Sequence, residues 1–354
     1  MLDADVEVDR REFTVRAALR VAPGERLALF GPSGAGKTTV LEAIAGLVRP
    51  RAGRVELGGR VLTSTAAPKC FVPPWRRRVG LLRQNPGLFP HLTVRANLCY
   101  APGSNPSGRE LAQVAEALGI SGQLSAMPAR LSGGQAHRVA LGRLLLAHCD
   151  ALLLDEPYTG LDAGLRRTLT ELVAGLVEQR SVPAVLVAHE LAEAQAFADR
   201  LAVIDHGRLL QAGAPDEVVL RPASRRVAEL VGYLGFVPAG PGDGARDGAV
   251  IGVHPERVTG GAHSGRGVVL SGTVTACRPA GAGWETDLAT GGTVVTCRLP
   301  ERPAAIGDPL VVTVVDPPWF GPGGEAAAAP PRPPGAQPRA ASTHPAANSE
   351  QAGR

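Results

Sequence analysis

Residues 31–39 read GPSGAGKTT, a full match to G-x-x-x-x-G-K-[ST], and come directly after the apolar stretch Leu27–Phe30. An apolar helical stretch, Lys37–Leu47, comes next. A strand that enters a Gly-rich turn and leaves it as a helix is the context this motif needs, and it points to an α/β fold. Gly31, Gly34 and Gly36 let the backbone bend so that successive N–H groups face one anion, and the helix start adds its positive end. Pro32, Ser33, Ala35 and Thr39 complete the expected nucleotide-binding segment. Lys37 is expected to reach the β- and γ-phosphates, and the Thr38 hydroxyl to ligate Mg²⁺. Of 37 basic residues only Lys37 and Lys69 are lysines. A chain that uses Arg almost everywhere keeps Lys where a compact ammonium on a flexible stem is wanted.

Residues 151–157, ALLLDEP, read as a parallel strand buried on both faces and ending in two carboxylates. Such a strand delivers its terminal residues to the carboxyl edge of the sheet, where open α/β folds place ligands. Asp155 is expected to hold Mg²⁺, directly or through water. Glu156, on the opposite side of the strand, can polarise an attacking water as general base. Residues 131–135, LSGGQ, open another helical stretch. The Ser132 hydroxyl and the flexible Gly133 and Gly134, with Gln135 after them, form a second expected anion site at a helix N-terminus.

GPSGAGKTT, Gln84, LSGGQ, LLLDEP, Gly160-Leu161-Asp162 and His189 stand in the order of the ATP-binding-cassette (ABC) ATPases, which residues 1–232 resemble. The resemblance implies a P-loop NTPase cassette of the α/β class with an inserted helical subdomain, binding ATP and Mg²⁺ and hydrolysing the ATP. Because the motif set occurs once, two copies would pair head to tail as a homodimer. Ser132, Gly133 and Gly134 would contact the γ-phosphate held by the other protomer, and Asp162 would tie the two sites together. His189 would contact the γ-phosphate and hold the water, and Gln84 would approach Mg²⁺ and the water as the dimer closes. The implied catalytic set is Glu156, His189, Gln84 and Lys37. The family commonly stacks an aromatic ring on adenine from the N-terminal strand, for which Phe13 is the early candidate here.

Residues 1–232 alternate strand candidates (Arg26–Phe30, Val79–Leu82, Ala151–Leu154, Ala184–Ala188, Leu201–Asp205) with helical stretches (Lys37–Leu47, Gly134–His148, Ala163–Gln179, Glu190–Ala198). Residues 233–248, with PAGPGDGARDG at their end, read as a linker. Residues 249–316 carry β-branched runs split by Gly and Pro and are expected to form a small all-β, OB-like barrel. Residues 317–354 are rich in Pro and Ala and read as a disordered tail. Five scattered cysteines without C-x-x-C read as free thiols. The net charge of +4 is spread out apart from Arg76-Arg77-Arg78 and lacks interleaved aromatics, which argues against nucleic acid as a partner. No run of 18 uncharged apolar residues occurs and the start, MLDADVEVDR, is acidic. The expected location is therefore the cytosol, peripheral to the cytoplasmic face of the membrane, with translocation left to separate permease subunits.

Three stretches are similar to the ATPase subunits of molybdate importers: GRVL at 59–62, PPWRRRVG at 73–80 and LFPHLTV at 88–94. The β module is similar to the oxyanion-type accessory domains appended to them, and Ser264-Gly265-Arg266 resembles a short signature of that module. The resemblance implies a molybdate importer served, indirectly, by an extracytoplasmic oxyanion-binding protein. Sulfate, another oxyanion, a polyamine or a sugar would suit the same ATPase, since cargo does not touch it. A soluble nucleotide switch fits less well, lacking a second cassette or a long coiled-coil insertion. Leu88-Phe89-Pro90-His91 is expected to be exposed and to meet the membrane partner.

Overall fold

The computed structural model describes residues 1–100, 106–159, 161–239, 248–262, 267–303 and 305–328. Gly160, the Ser264-Gly265-Arg266 signature and the tail from residue 329 lie outside them. The chain forms two compact units, divided between Val218 and Val219 rather than at 232.

In the first unit, β1 (Leu2–Asp9) pairs antiparallel with β2 (Thr14–Val21). The sequence LDADVEVD alternates, so Leu2, Ala4, Val6 and Val8 all face inward. β3 (Arg26–Phe30) leads into α1 (Lys37–Ala45). β4 (Ala52–Leu57), β5 (Arg60–Ser64) and β6 (Cys70–Phe71) extend the antiparallel wing from β1. β7 (Val79–Leu82) crosses to the opposite edge. Helices α2 (Val94–Leu98), α3 (Gly108–Ala117) and α4 (Gly133–Leu146) lie in sequence between β7 and β8 (Ala151–Asp155), where the motif order places the inserted helical part. Then come α5 (Ala163–Arg180), β9 (Ala184–Ala188), α6 (Leu191–Phe197), β10 (Arg200–Asp205) and β11 (Arg208–Gly213). α7 (Pro215–Leu220) runs across the division.

These strands make one sheet of 11, in the order β6-β5-β4-β1-β2-β11-β10-β3-β9-β8-β7. The run β10-β3-β9-β8-β7 is parallel throughout. Its central strands β8 and β9 are buried at every position, which is why they read as unbroken apolar runs. On α1, Val40, Leu41 and Ile44 are fully buried against the sheet core. Each such side chain contributes roughly 1.5–3 kcal/mol.

The Arg76-Arg77-Arg78 run is not a uniform surface charge. Arg77 is 1% exposed. It donates to the carbonyls of Ala43 (3.3 Å) and Ile44 (2.8 Å), to Val72 O (2.7 Å) and to Thr63 Oγ1 (2.8 Å). A buried cation thus satisfies two C-terminal carbonyls of α1 and favours the negative end of its dipole. Burial pushes the guanidinium pKa down to about 10.

The second unit begins with α8 (Arg225–Leu230) and β12 (Gly235–Pro238). Next are β13 (Val250–Val253), β14 (Val258–Gly260), β15 (Gly267–Ala280), β16 (Gly283–Thr290), β17 (Thr293–Leu299) and β18 (Pro309–Val315). β19 (Trp319–Phe320) and β20 (Ala326–Ala327) complete it. One sheet runs β14-β18-β15-β16-β17 around a core that includes Leu270, Leu288, Val295, Cys297 and Val312. The other runs β12-β13-β19-β20. Residues 249–316 are thus all-β among the described residues apart from one short 3₁₀ turn at Pro255–Arg257. However, no ladder joins β14 to β17 to close a barrel among those residues. β12 falls inside the expected linker and β19 and β20 inside the expected tail. Their Pro and Gly neighbours mask strands of only two to four residues, too short to show a periodic pattern.

Candidate nucleotide site

Four neighbouring parallel strands end along one edge of the sheet. β3 is continued by residues 31–36, β9 by His189, β8 by Glu156 and β7, two residues on, by Gln84. Registers Phe30↔Ala188, Asp155↔Val187 and Leu82↔Leu154 keep these ends level. Residues scattered over more than 150 positions of sequence are therefore brought side by side.

The Lys37 side chain is 6% exposed and its Nζ donates to the carbonyls of Gly31 (2.7 Å) and Pro32 (2.9 Å). Burial holds its pKa below the usual lysine value, opposed by the nearby carboxylates of Glu156 and Asp155. The Thr38 hydroxyl donates to Asp155 Oδ1 at 3.1 Å. Asp155 is 3% exposed, and burial raises its pKa against the lowering effect of the Thr38 bond, with Glu156 adding to the rise. Glu156 sits at φ 50°, a left-handed conformation for a side-chain-bearing residue, and its N–H donates to Val187 O at 3.2 Å. Such a conformation costs of order 1–3 kcal/mol and tends to mark functional turns. Glu156 Oε2 lies 3.9 Å from His189 Nδ1. Gln84 is exposed.

This donor set fits a Mg²⁺-bound triphosphate. A desolvated ammonium at a helix start suits a polyanion. A half-buried hydroxyl bonded to a buried carboxylate, whose ionisation burial disfavours, suits a hard oxygen-seeking ion. Thr38 and Asp155 would hold that ion.

Residues 131–135 are not joined to this edge by any hydrogen bond among the described residues. Ser132 is the N-cap of α4: its hydroxyl accepts from Gln135 N at 3.2 Å, and Gln135 Oε1 accepts from Ser132 N at 2.9 Å. This reciprocal capping box uses two of the five residues of the motif. Gly133 is exposed and Gly134 half-buried, and neither takes part in it. Asp162 is the N-cap of α5, accepting from Leu165 N at 2.9 Å; this bond foremost holds its carboxyl below the ordinary Asp value. Phe13 packs against the core of the unit and is crowded against Gly207. Two further residues carry no signal in the sequence. His137 on α4 is buried with Nε2 3.1 Å from Pro157 O, at the end of the LLLDEP strand. Arg10 reaches Thr39 on α1. A lone His inside a helix and an Arg in a turn have no pattern that would single them out.

The fold and this edge define a class: residues Met1–Val218 have the P-loop cassette fold of the ABC ATPases. The family model described as ABC transporter matches residues 15–159. The chain is 42% identical over 225 residues to the Fe(3+) ions import ATP-binding protein FbpC of Pseudomonas fluorescens, covering 63% of each. It is 42% identical over 241 residues to the sulfate/thiosulfate import ATP-binding protein CysA 2 of Chromobacterium violaceum, covering 67% of this chain and 64% of that one. It therefore spans less than two thirds of either relative. Among solved structures, it is similar to a dimeric post-hydrolysis state of the ATP-binding cassette MJ0796 bound to ADP and Pi (TM-score 0.51, 26% identity, 61% of this chain and 99% of that one). It is also similar to an ATP binding subunit of an ABC transporter (TM-score 0.54, 26% identity, 66% and 95%). The relatives are named for ferric ions and for sulfate or thiosulfate, and none of these four names molybdate.

Proposed function

We propose that this chain is the ATP-hydrolysing subunit of an ABC importer, a homodimer working with separate membrane permease subunits at the cytoplasmic face. The observation that carries the reading is the meeting of Lys37, Thr38, Asp155, Glu156 and His189 at the ends of adjacent parallel strands. Lys37 and the amides of residues 31–39 hold the phosphates. Thr38 and Asp155 would hold Mg²⁺, which would supply charge neutralisation to the phosphates. Glu156 takes the proton of the attacking water, and His189 beside it fixes the orientation of that water and of the γ-phosphate. Gln84 completes the site from the β7 side. Ser132, Gly133 and Gly134 of a second copy close over the γ-phosphate, with Asp162 at the junction of the two sites.

No helix among the described residues is long and apolar enough to cross a membrane. One feature supports work done on a membrane partner. A groove of about 850 Å³ lies beside edge strand β7 and α4, lined by Trp75, Leu81, Phe89, Tyr100 and Leu144 among others. Trp75 is 77% exposed there. The expected contact stretch is only partly free: Leu88 and Phe89 are half-buried, the Phe89 ring lying 4.0 Å from that of Tyr100, whereas Pro90 and His91 are exposed. An apolar groove with an exposed Trp at its rim suits a helical segment of a permease.

For cargo we favour an oxyanion, specifically molybdate, on the three sequence stretches and the β module of residues 249–316; the sulfate/thiosulfate relative belongs to the same chemical class. Ferric ion is the second reading, favoured by the Pseudomonas relative. Deleting the gene and measuring cellular uptake of molybdate, sulfate and ferric ion separates them. Loss of molybdate uptake alone is expected. Loss of ferric uptake alone would replace the cargo, and purified protein without Mg²⁺-dependent ATP hydrolysis would overturn the ATPase itself.

A further inference from the structure

The turn between β1 and β2 carries Arg10, and its guanidinium is held against the helix of the phosphate loop. Nε donates to Thr39 Oγ1 at 2.9 Å and a terminal nitrogen to Glu42 Oε2 at 3.1 Å. Glu42 is held in turn by Arg83 at 3.3 Å. The Arg10 side chain remains 38% exposed.

Thr38 and Thr39 are successive residues of α1, so their side chains leave the axis about 100° apart. The Thr38 hydroxyl turns toward Asp155, the side of the cation and the terminal phosphate. The Thr39 hydroxyl turns toward Arg10. With the terminal phosphates on the Asp155 side, the neighbouring Arg10 side of α1 is open to the α-phosphate and ribose. We propose that Arg10 is a nucleotide-binding residue that grips the α-phosphate end of ATP and ADP, an inference that rests on the ATPase reading.

Chemistry and placement agree. A guanidinium has five N–H donors in a planar fork suited to phosphate, and the bonds to Thr39 and Glu42 engage two of them. Those two bonds also fix the side chain beforehand, so little rotamer freedom is lost on binding. With the Phe13 ring packed against the core, this turn offers a cation at that end.

Calorimetric titration of the full chain with Mg·ADP, a non-hydrolysable Mg·ATP analogue and Mg·pyrophosphate tests the assignment. Arg10→Ala should weaken both nucleotides by the same factor, roughly tenfold or more for one lost charge-assisted bond, and leave pyrophosphate within about twofold. Arg10→Lys should restore part of the loss. Lys37→Ala should weaken all three ligands. Unchanged ADP binding by Arg10→Ala would overturn the proposal. So would a pyrophosphate loss as large as the ADP loss, because Arg10 would then only be shaping the loop through Thr39. If the unsubstituted chain bound neither nucleotide, the ATPase reading would fall and this inference with it, a pattern unlike either of the others.

Discussion

Helices α1 and α4 both start inside a glycine-containing motif, at Gly36-Lys37 and at Gly133, yet local geometry demands glycine at only one of them. Before α1, Gly36 has φ 102° and an added Cβ would lie 2.7 Å from Val15 Cγ2. A Cβ on Gly31 would come within 2.0 Å of the Ile204 carbonyl oxygen. These residues are needed to build the loop, whatever it binds. At Gly133 an added Cβ meets nothing within 4 Å. Glycine in a helix gives up as much as about 1 kcal/mol relative to alanine. An added side chain there would meet open space, so the fold does not require glycine at that position, in keeping with the proposed approach of a second copy's nucleotide. The phosphate loop is shaped by packing within its own chain; in the proposed dimer the start of α4 serves the other copy.

The largest expected effect tests the strand-built half. Glu156→Gln keeps the shape and removes the base, so turnover should fall by roughly 10²–10⁴-fold while Mg·ATP still binds. Trapped nucleotide should then hold two copies together, visible as a dimer by size exclusion. Turnover near that of the unsubstituted chain would remove Glu156 from the chemistry.

A sharper test sets the two glycines against each other. Gly36→Ala forces a side chain into a left-handed conformation and against Val15, and should cost about 1–3 kcal/mol in chemical denaturation. Gly133→Asp does the opposite: an acid in the first turn of α4 suits the helix dipole and should leave stability unchanged or raised by about 0.3–1 kcal/mol. Yet its charge would face the γ-phosphate of the second copy, so the ATP-trapped dimer in the Glu156→Gln background should disappear. A dimer that survives Gly133→Asp would break the comparison.

Legibility in the sequence divides along the same line. β3, β7 and β9 match the sequence expectation to the residue because these parallel strands are short apolar runs, fully buried in β9 and beyond Arg26 in β3 and half-buried along most of the edge strand β7. The antiparallel wing has no such signal: β1 and β2 carry Asp, Glu and Arg on the exposed face of each strand, and alternation dilutes their apolar pattern. β16, GWETDLAT, is hidden for a similar reason, although Thr286 is fully buried within it between Cys277 and Cys297 of the flanking strands. Arg77 shows the limit of charge counting, since the middle of three arginines sits inside the unit on the C-terminal carbonyls of α1. For the site, motifs give the strand-end residues. Arg10 and His137 depend on contacts across 29 and 20 positions, which no local pattern encodes.

His137 joins the two regions, linking α4 to the carbonyl of Pro157 just after the two carboxylates. Burial, partly offset by that bond, lowers its pKa below 6.5. As pH falls below about 6.5 the unfolded chain therefore takes up this proton before the folded one, so stability drops with acid and is unaffected well above that value. One such group contributes a slope of at most about 1.4 kcal/mol per pH unit. His137→Gln keeps an N–H donor for Pro157 and removes the titration. Urea midpoints of the two proteins should accordingly run parallel from about pH 7 to 8 and converge, or cross in favour of Gln, between about pH 6.5 and 5. Curves that stay parallel down to about pH 5 would mean that the proton on His137 is not linked to folding, and that α4 is held to the end of β8 by packing alone.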